Sequence, residues 1–286
     1  MEVIGIDENG LGPILGPFII SGIKVKVNEP IFFNSKLENL RTKIKIDDSK
    51  EIFKRSEMWT YSKGEIISLS ILKAFTFTEI IEKYVKLLIT DFEKNFYIQN
   101  YKLPIWAKYI SEDIDIGEKI NFINYRAFAV FPKIFNNMLK DMHKFQLGIK
   151  LFIELAKELS NSDYNVVMCG KVGGYTYYLK PFSLIGVKTY EIIKETRGHS
   201  AYRIFYMNKT FEFHFLMDGD KVYYPIAVAS IIGKYLREIF MKSLNERFGL
   251  YDKIPYSSGY KHDYKTATLI EKIQTMYKLE DFVRIK

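Results

Sequence analysis

Apolar positions along this chain recur with two different periods, and the switching between them predicts an α/β architecture. Residues 1–7, Met-Glu-Val-Ile-Gly-Ile-Asp, form a short apolar run that ends on an acid. A turn holding Gly10, Gly12, Pro13, Gly16 and Pro17 follows, and 18–27 resumes as a β-rich run, so strand, glycine-rich loop, strand is the expected order. A polar loop over 43–50 and a short helix over 51–57 come next. Helical spacing then places Ile67, Ile71, Ile80, Ile81, Val85, Leu88 and Phe92 on a helix pair or one broken helix within 65–96. Residues 97–117 are irregular and aromatic, in the manner of an insertion or lid.

Helical periodicity returns over 128–145 and 148–159. Residues 164–169 then read as a buried strand that runs directly into Gly170-Lys171-Val172-Gly173-Gly174. A loop at the end of such a strand is the usual place for functional groups in an open α/β sheet. Stretches 187–191, 201–207 and 210–216 alternate like strands of a small further sheet or a sheet edge. Pro225 opens a helix reaching about 248, at a first-turn position where its missing N–H costs nothing. A final helix spans about 263–277. Neither an internal repeat nor an inter-domain linker is visible, so 1–286 reads as a single domain.

Composition narrows the function classes only modestly. The chain has 42 Lys and Arg against 34 Asp and Glu, a net charge of +8, which favours a polyanionic partner but follows equally from lysine-rich coding bias. Cys169 is the only cysteine, which excludes an internal disulfide and a multi-cysteine zinc site and suits the cytoplasm. The apolar stretch 14–23 is broken by Gly16, Pro17 and Gly22, is too short for a membrane span, and lacks the basic leader of a signal peptide.

Two constellations could carry chemistry. Asp7 and Glu8 sit side by side at a strand end, where their repulsion is costly unless a cation offsets it, and Mg²⁺ or Mn²⁺ prefers such hard oxygen ligands. Taken alone, an acidic pair before a turn is more often a cap or a solvated feature. On the helix that begins at Pro225, Ser230, Lys234 and Glu238 recur every four residues and present a hydroxyl, an ammonium and a carboxylate in a row. Taken alone, that row is an ordinary surface ion pair.

Together these residues resemble a known family. Gly5-Ile6-Asp7-Glu8-Asn9-Gly10-Leu11-Gly12-Pro13 is similar to the N-terminal signature of the ribonuclease HII family, an Asp-Glu pair followed by Gly-Arg-Gly-Pro. Asp48-Ser49-Lys50 resembles that family's next motif, and Ala229-Ser230-Ile231-Ile232-Gly233-Lys234 with Arg237-Glu238 resembles its Ala-Ser-Ile-x-Ala-Lys helix ending in Arg-Asp. Gly259-Tyr260 resembles its Gly-Tyr-Gly-Thr segment. Four motifs in the right order are far more specific than any one of them.

The resemblance implies a ribonuclease H-like fold, a mixed central sheet flanked by helices with a C-terminal helical portion, and an inserted helical region at about 62–115 that the family does not share. It also implies a Mg²⁺- or Mn²⁺-dependent endonuclease that cuts RNA paired with DNA, or single ribonucleotides in duplex DNA, on their 5′ side. Asp7, Glu8 and Glu238 would hold metal, with Glu238 in place of the family's last aspartate. The loop Gly10-Leu11-Gly12 would read the 2′-hydroxyl, Tyr260 would stack on deoxyribose, and Ser49, Lys50, Ser230 and Lys234 would approach the nucleic acid. One position departs sharply, because the family's third aspartate falls on Cys169 or Gly170, neither of which offers a carboxylate. Asp218 and Asp220 are candidates to compensate, although a turn around Gly219 explains them as well. The alternative is a catalytically weakened relative that binds hybrid or duplex nucleic acid without cutting it.

Overall fold

The computed structural model describes residues 1–27, 46, 49–54, 57–108, 120–173, 175–187, 189–250 and 256–285. In chain order the elements are β1 (Glu2–Asn9), β2 (Phe18–Val27), α1 (Ser49–Ile52), α2 (Met58–Leu72), α3 (Phe77–Tyr84), β3 (Val85–Leu88), α4 (Asp91–Tyr97), β4 (Ile120–Val130), α5 (Pro132–Met138), α6 (Lys144–Leu159), β5 (Tyr164–Gly170), α7 (Leu179–Leu184), β6 (Thr189–Glu195), β7 (His199–Tyr206), β8 (Lys209–Leu216), α8 (Gly219–Val222), α9 (Tyr224–Arg247) and α10 (Tyr264–Gln274). The strands form one eight-stranded sheet in the order β3-β4-β2-β1-β5-β8-β7-β6. It is mixed: β1 and β5, β5 and β8, and β3 and β4 run parallel, and the remaining neighbours are antiparallel.

Period-2 alternation in the first two strands feeds two cores. Val3, Ile19, Ile23 and Val25 join one buried cluster with α9, and Ile4, Ile6, Phe18 and Ile20 join the other with α6. The first turn of α9 lies directly on β1, where a Cβ at Gly5 would come within 2.4 Å of the Pro225 backbone. This contact fixes the helix relative to the acidic end of β1. Among the described residues no helix is long and apolar enough to cross a membrane.

Several expectations are corrected. The helical reading of 65–96 misses β3, a four-residue strand between α3 and α4 that pairs with Ala127–Val130. Residues 128–130 are the end of β4, not helix, and α5 and α6 carry the helical signal that follows. The strand expected at 187–191 is β6, displaced towards the C-terminus. With β7 and β8 it forms one edge of the main sheet, the second of the two arrangements expected. The helix expected at 51–57 is the shorter α1, which starts at Ser49. Residues 109–119, including the acidic run Glu112-Asp113-Ile114-Asp115, and Asp48 of the second motif lie outside the described residues.

The stretch expected as an insertion is built in through Glu65 of α2. Its fully buried carboxylate accepts the backbone N–H groups of Ile105 at 2.7 Å, Trp106 at 2.6 Å and Ala107 at 2.8 Å, and the Tyr235 hydroxyl of α9 at 3.1 Å. Removing it strands buried donors, so Glu65→Ala is expected to lower unfolding free energy by on the order of 3 kcal/mol. Urea denaturation would measure this, and an unchanged midpoint would refute the anchoring role.

Candidate active site

The C-terminal ends of β1, β5 and β8 are neighbours and point the same way, so their carboxyl ends share one edge of the sheet. A cleft of about 1210 Å³ opens there, bounded by the glycine loop after β1, Lys50 of α1, the turn before α8, Ser230 and Lys234 of α9, and 258–265. Such a crevice beyond strand C-termini is the general ligand site of open α/β sheets.

Asp7 and Glu8 both line the cleft. Asp7 is 9% exposed, and burial, followed by the nearby charge of Asp220, pushes its carboxyl well above the usual range. A hydrogen bond from Ser230 opposes that shift, and the charge of Glu8 adds to it. The Ser230 hydroxyl is in turn 3.0 Å from that of Ser49, so α1 and α9 meet over Asp7. Burial raises Glu8 to about 7, against the pull of Arg284, Lys144 and Lys50. Its Oε2 is buried and has no hydrogen-bond partner among the described residues. Repelling hard-oxygen donors and an orphaned carboxylate oxygen fit a divalent cation. Among the described residues, however, no three acids, histidines or cysteines gather into a metal-holding group.

The reason lies at the end of β5. Cys169 is fully buried in the α6-side core and Gly170 faces the cleft, where a Cβ would lie 2.3 Å from Asp7 Oδ1. Gly170 is therefore the position that points at Asp7, and it carries no side chain. Of the two compensating candidates, Asp220 interacts electrostatically with Asp7, whereas Asp218 is exposed and paired with Lys221 at 3.0 Å.

Glu238 differs from expectation. It is 1% exposed and does not line the cleft. Lys234 contacts its Oε1 at 2.7 Å, and its Oε2 accepts from the Tyr61 hydroxyl of α2 at 3.2 Å. The every-fourth-residue face therefore delivers Ser230 and Lys234 to the cleft but leaves Glu238 beneath α2.

Gly10, Leu11, Gly12 and Tyr260 line one cleft. Gly10, at φ +84°, leaves room for Arg237, since a Cβ there would sit 2.5 Å from Nε. From its Nη2, Arg237 donates to the carbonyls of Leu15 and Ser258, each at 3.1 Å, and so links the glycine loop to the segment carrying Tyr260. Tyr260, 42% exposed, packs over Gly12, where a Cβ would come within 3.1 Å of its ring. Leu11, Ser49 and Lys50 line the same cleft.

Sequence reasoning missed Arg284, which is buried, stacks 4.9 Å over Phe135 and donates to the Pro13 carbonyl. Its backbone N–H also reaches Ile14 at 2.8 Å, which brings the C-terminal segment against the glycine loop. Burial lowers Arg284 to about 9. Nothing in its local sequence distinguishes it from the other surface-type basic residues. Lys171 and Arg197, also on the cleft wall, were missed for the same reason.

Comparison with known proteins converges on one group. A family model described as Ribonuclease HII matches residues 185–286. The chain is 23% identical over 276 residues to a Ribonuclease HII of Methanococcus vannielii, covering 96% of this chain and 78% of that protein. It is 24% identical over 269 residues to a Ribonuclease HII of Methanococcus maripaludis, covering 94% and 77%. Among solved structures, the complex of PCNA with RNase HII from Archaeoglobus fulgidus matches with a TM-score of 0.53 at 17% identity, over 100% of this chain and 95% of that one. At that identity the structural likeness supports the fold alone.

Proposed function

We propose that this chain, which matches a Ribonuclease HII family model over 185–286 and resembles Ribonuclease HII proteins over nearly its whole length, is a divalent-metal-dependent endonuclease cutting RNA paired with DNA, or single ribonucleotides in duplex DNA. The observation that carries the reading is the paired acids Asp7 and Glu8, held beside the glycine loop and Tyr260 in one cleft. Asp7 and Glu8 hold Mg²⁺ or Mn²⁺, and Asp220 approaches from α8 in place of the carboxylate absent at 170. A divalent ion held there neutralises phosphate charge and makes a water more acidic.

The remaining work belongs to the chain's own groups. The Gly10-Leu11-Gly12 backbone approaches the ribose 2′-hydroxyl, a contact that only a backbone without side chains at 10 and 12 leaves room for. Tyr260 offers its ring to the neighbouring sugar. Lys50 and Lys234 offset phosphate charge, and the hydroxyls of Ser49 and Ser230 orient the Asp7 carboxylate.

A second reading has an observation of its own. The bare Gly170 beside Asp7 removes a ligand, which favours a relative that binds hybrid without cutting it. Incubating the protein with a duplex holding one ribonucleotide, in Mg²⁺ and then Mn²⁺, separates the two. Cleavage 5′ of the ribonucleotide, with an all-DNA duplex left intact, is the expected result. Salt-dependent binding without cleavage supports the second reading, and absence of both discards nucleic acid as the substrate.

A further inference from the structure

The turn between β6 and β7 is held from two sides at the edge of the cleft. Lys171, the residue after Gly170, donates from Nζ to the carbonyls of Arg197 at 2.7 Å and Thr196 at 3.2 Å. From the end of β8, the Met217 N–H reaches the Gly198 carbonyl at 2.9 Å. The turn also closes on itself, with the Thr196 N–H bonded to the His199 carbonyl at 2.9 Å and the His199 N–H bonded to Thr196 Oγ1 at 3.1 Å. These bonds fix the backbone of residue 197, yet its side chain is exposed, lines the cleft and has no hydrogen bond or ion pair to the described residues. A braced backbone that presents an unpaired guanidinium into a cleft is arranged for a ligand and not for the fold.

From this we infer that Arg197 binds a backbone phosphate of the nucleic acid strand that runs over the β5 and β8 ends, with Lys171 as the positioning residue of the turn. The assignment rests on the functional reading above and adds a contact to it. The cleft carries Asp7, Glu8 and Asp220, so a polyanion crossing it needs cations along its path. Lys50 of α1 and Lys234 of α9 line the cleft, and Arg197 adds an exposed guanidinium to it from the turn between β6 and β7. A guanidinium suits phosphate because its planar fork can donate two parallel hydrogen bonds. Gly170 strengthens the case, since the loss of a carboxylate beside this turn lowers the repulsion a phosphate meets there.

Counterion release gives the test. Binding of a fluorescein-labelled RNA/DNA hybrid is followed by anisotropy in metal-free buffer from 0.05 to about 1 M salt, and log affinity is plotted against log salt. Arg197→Ala is expected to flatten the slope by about 0.9, one phosphate contact. Its affinity deficit should be several-fold at about 0.1 M and vanish towards 1 M, with Arg197→Lys restoring the slope. Lys26→Ala, on an exposed site in β2 away from the cleft, should leave it unchanged and controls for net charge. A wild-type slope in Arg197→Ala overturns the assignment while leaving the functional reading standing. Failure of the wild-type chain to bind hybrid removes both.

Discussion

Asp7→Asn is expected to lower hybrid cleavage by on the order of a hundredfold to a thousandfold, the scale on which one preorganised electrostatic group acts, while leaving the chain folded. Asparagine keeps the shape and can still accept from Ser230, but it cannot supply the charge that a divalent cation needs. In metal-free buffer the same variant should be more stable than the parent. The sign follows from the direction of the shift: burial and Asp220 raise the Asp7 carboxyl above its ordinary 3.8, so ionising it opposes folding. Stability contributed by the protonated form is complete below that ordinary value and is lost as pH rises through the folded one. Glu8 adds a loss between 4.5 and about 7. The thermal advantage of Asp7→Asn should therefore be larger at pH 8 than at pH 5, and added Mn²⁺ should raise the melting temperature of the parent only. An equal advantage at both pH values would show that Asp7 is not held as a destabilising charge.

The second large effect concerns which acid completes the site. Asp220→Asn is expected to reduce cleavage by about a hundredfold, the upper end for groups that tune a metal site. Glu238→Gln is expected to reduce it by no more than about tenfold through its neighbours Lys234 and Tyr61. The contrast rests on placement: Asp220 acts on the Asp7 carboxyl from the cleft, and Glu238 is enclosed beneath α2. Titrating activity against Mn²⁺ for both variants measures it, with a higher metal requirement expected for Asp220→Asn alone. The reverse ranking would restore the arrangement that helix periodicity suggests.

What the sequence made legible was local. The run into Asp7-Glu8, the glycine loop, the buried strand before Gly170 and the helix opened by Pro225 each carry a strong short-range signal, and all are present. Val85–Leu88 was illegible because four apolar residues between helices carry no period of their own and become a strand only by pairing with β4. The end of β4 was absorbed into the helical pattern of α5 and α6 for the same reason. At the site, the chain order could not say whether Cys169 or Gly170 faces Asp7, because successive strand residues point to opposite faces and only the register with β1 decides. Glu238 was misplaced because spacing along α9 predicts a shared face, whereas what covers that face depends on Tyr61, far away in sequence. Asp220 could be put forward from its position before α9 but not preferred over Asp218 until the turn was seen in space.

Arg237 joins carbonyls that lie 222 and 21 residues from it in the chain, one in the glycine loop and one beside Tyr260. Both loops are consequently ordered when the polypeptide folds, and the entropy of fixing them is not charged again at encounter. A ligand that touches Gly12 and Tyr260 meets two surfaces already set at their working separation, like the jaws of a locked caliper, and a mismatch of width has to be absorbed by the ligand.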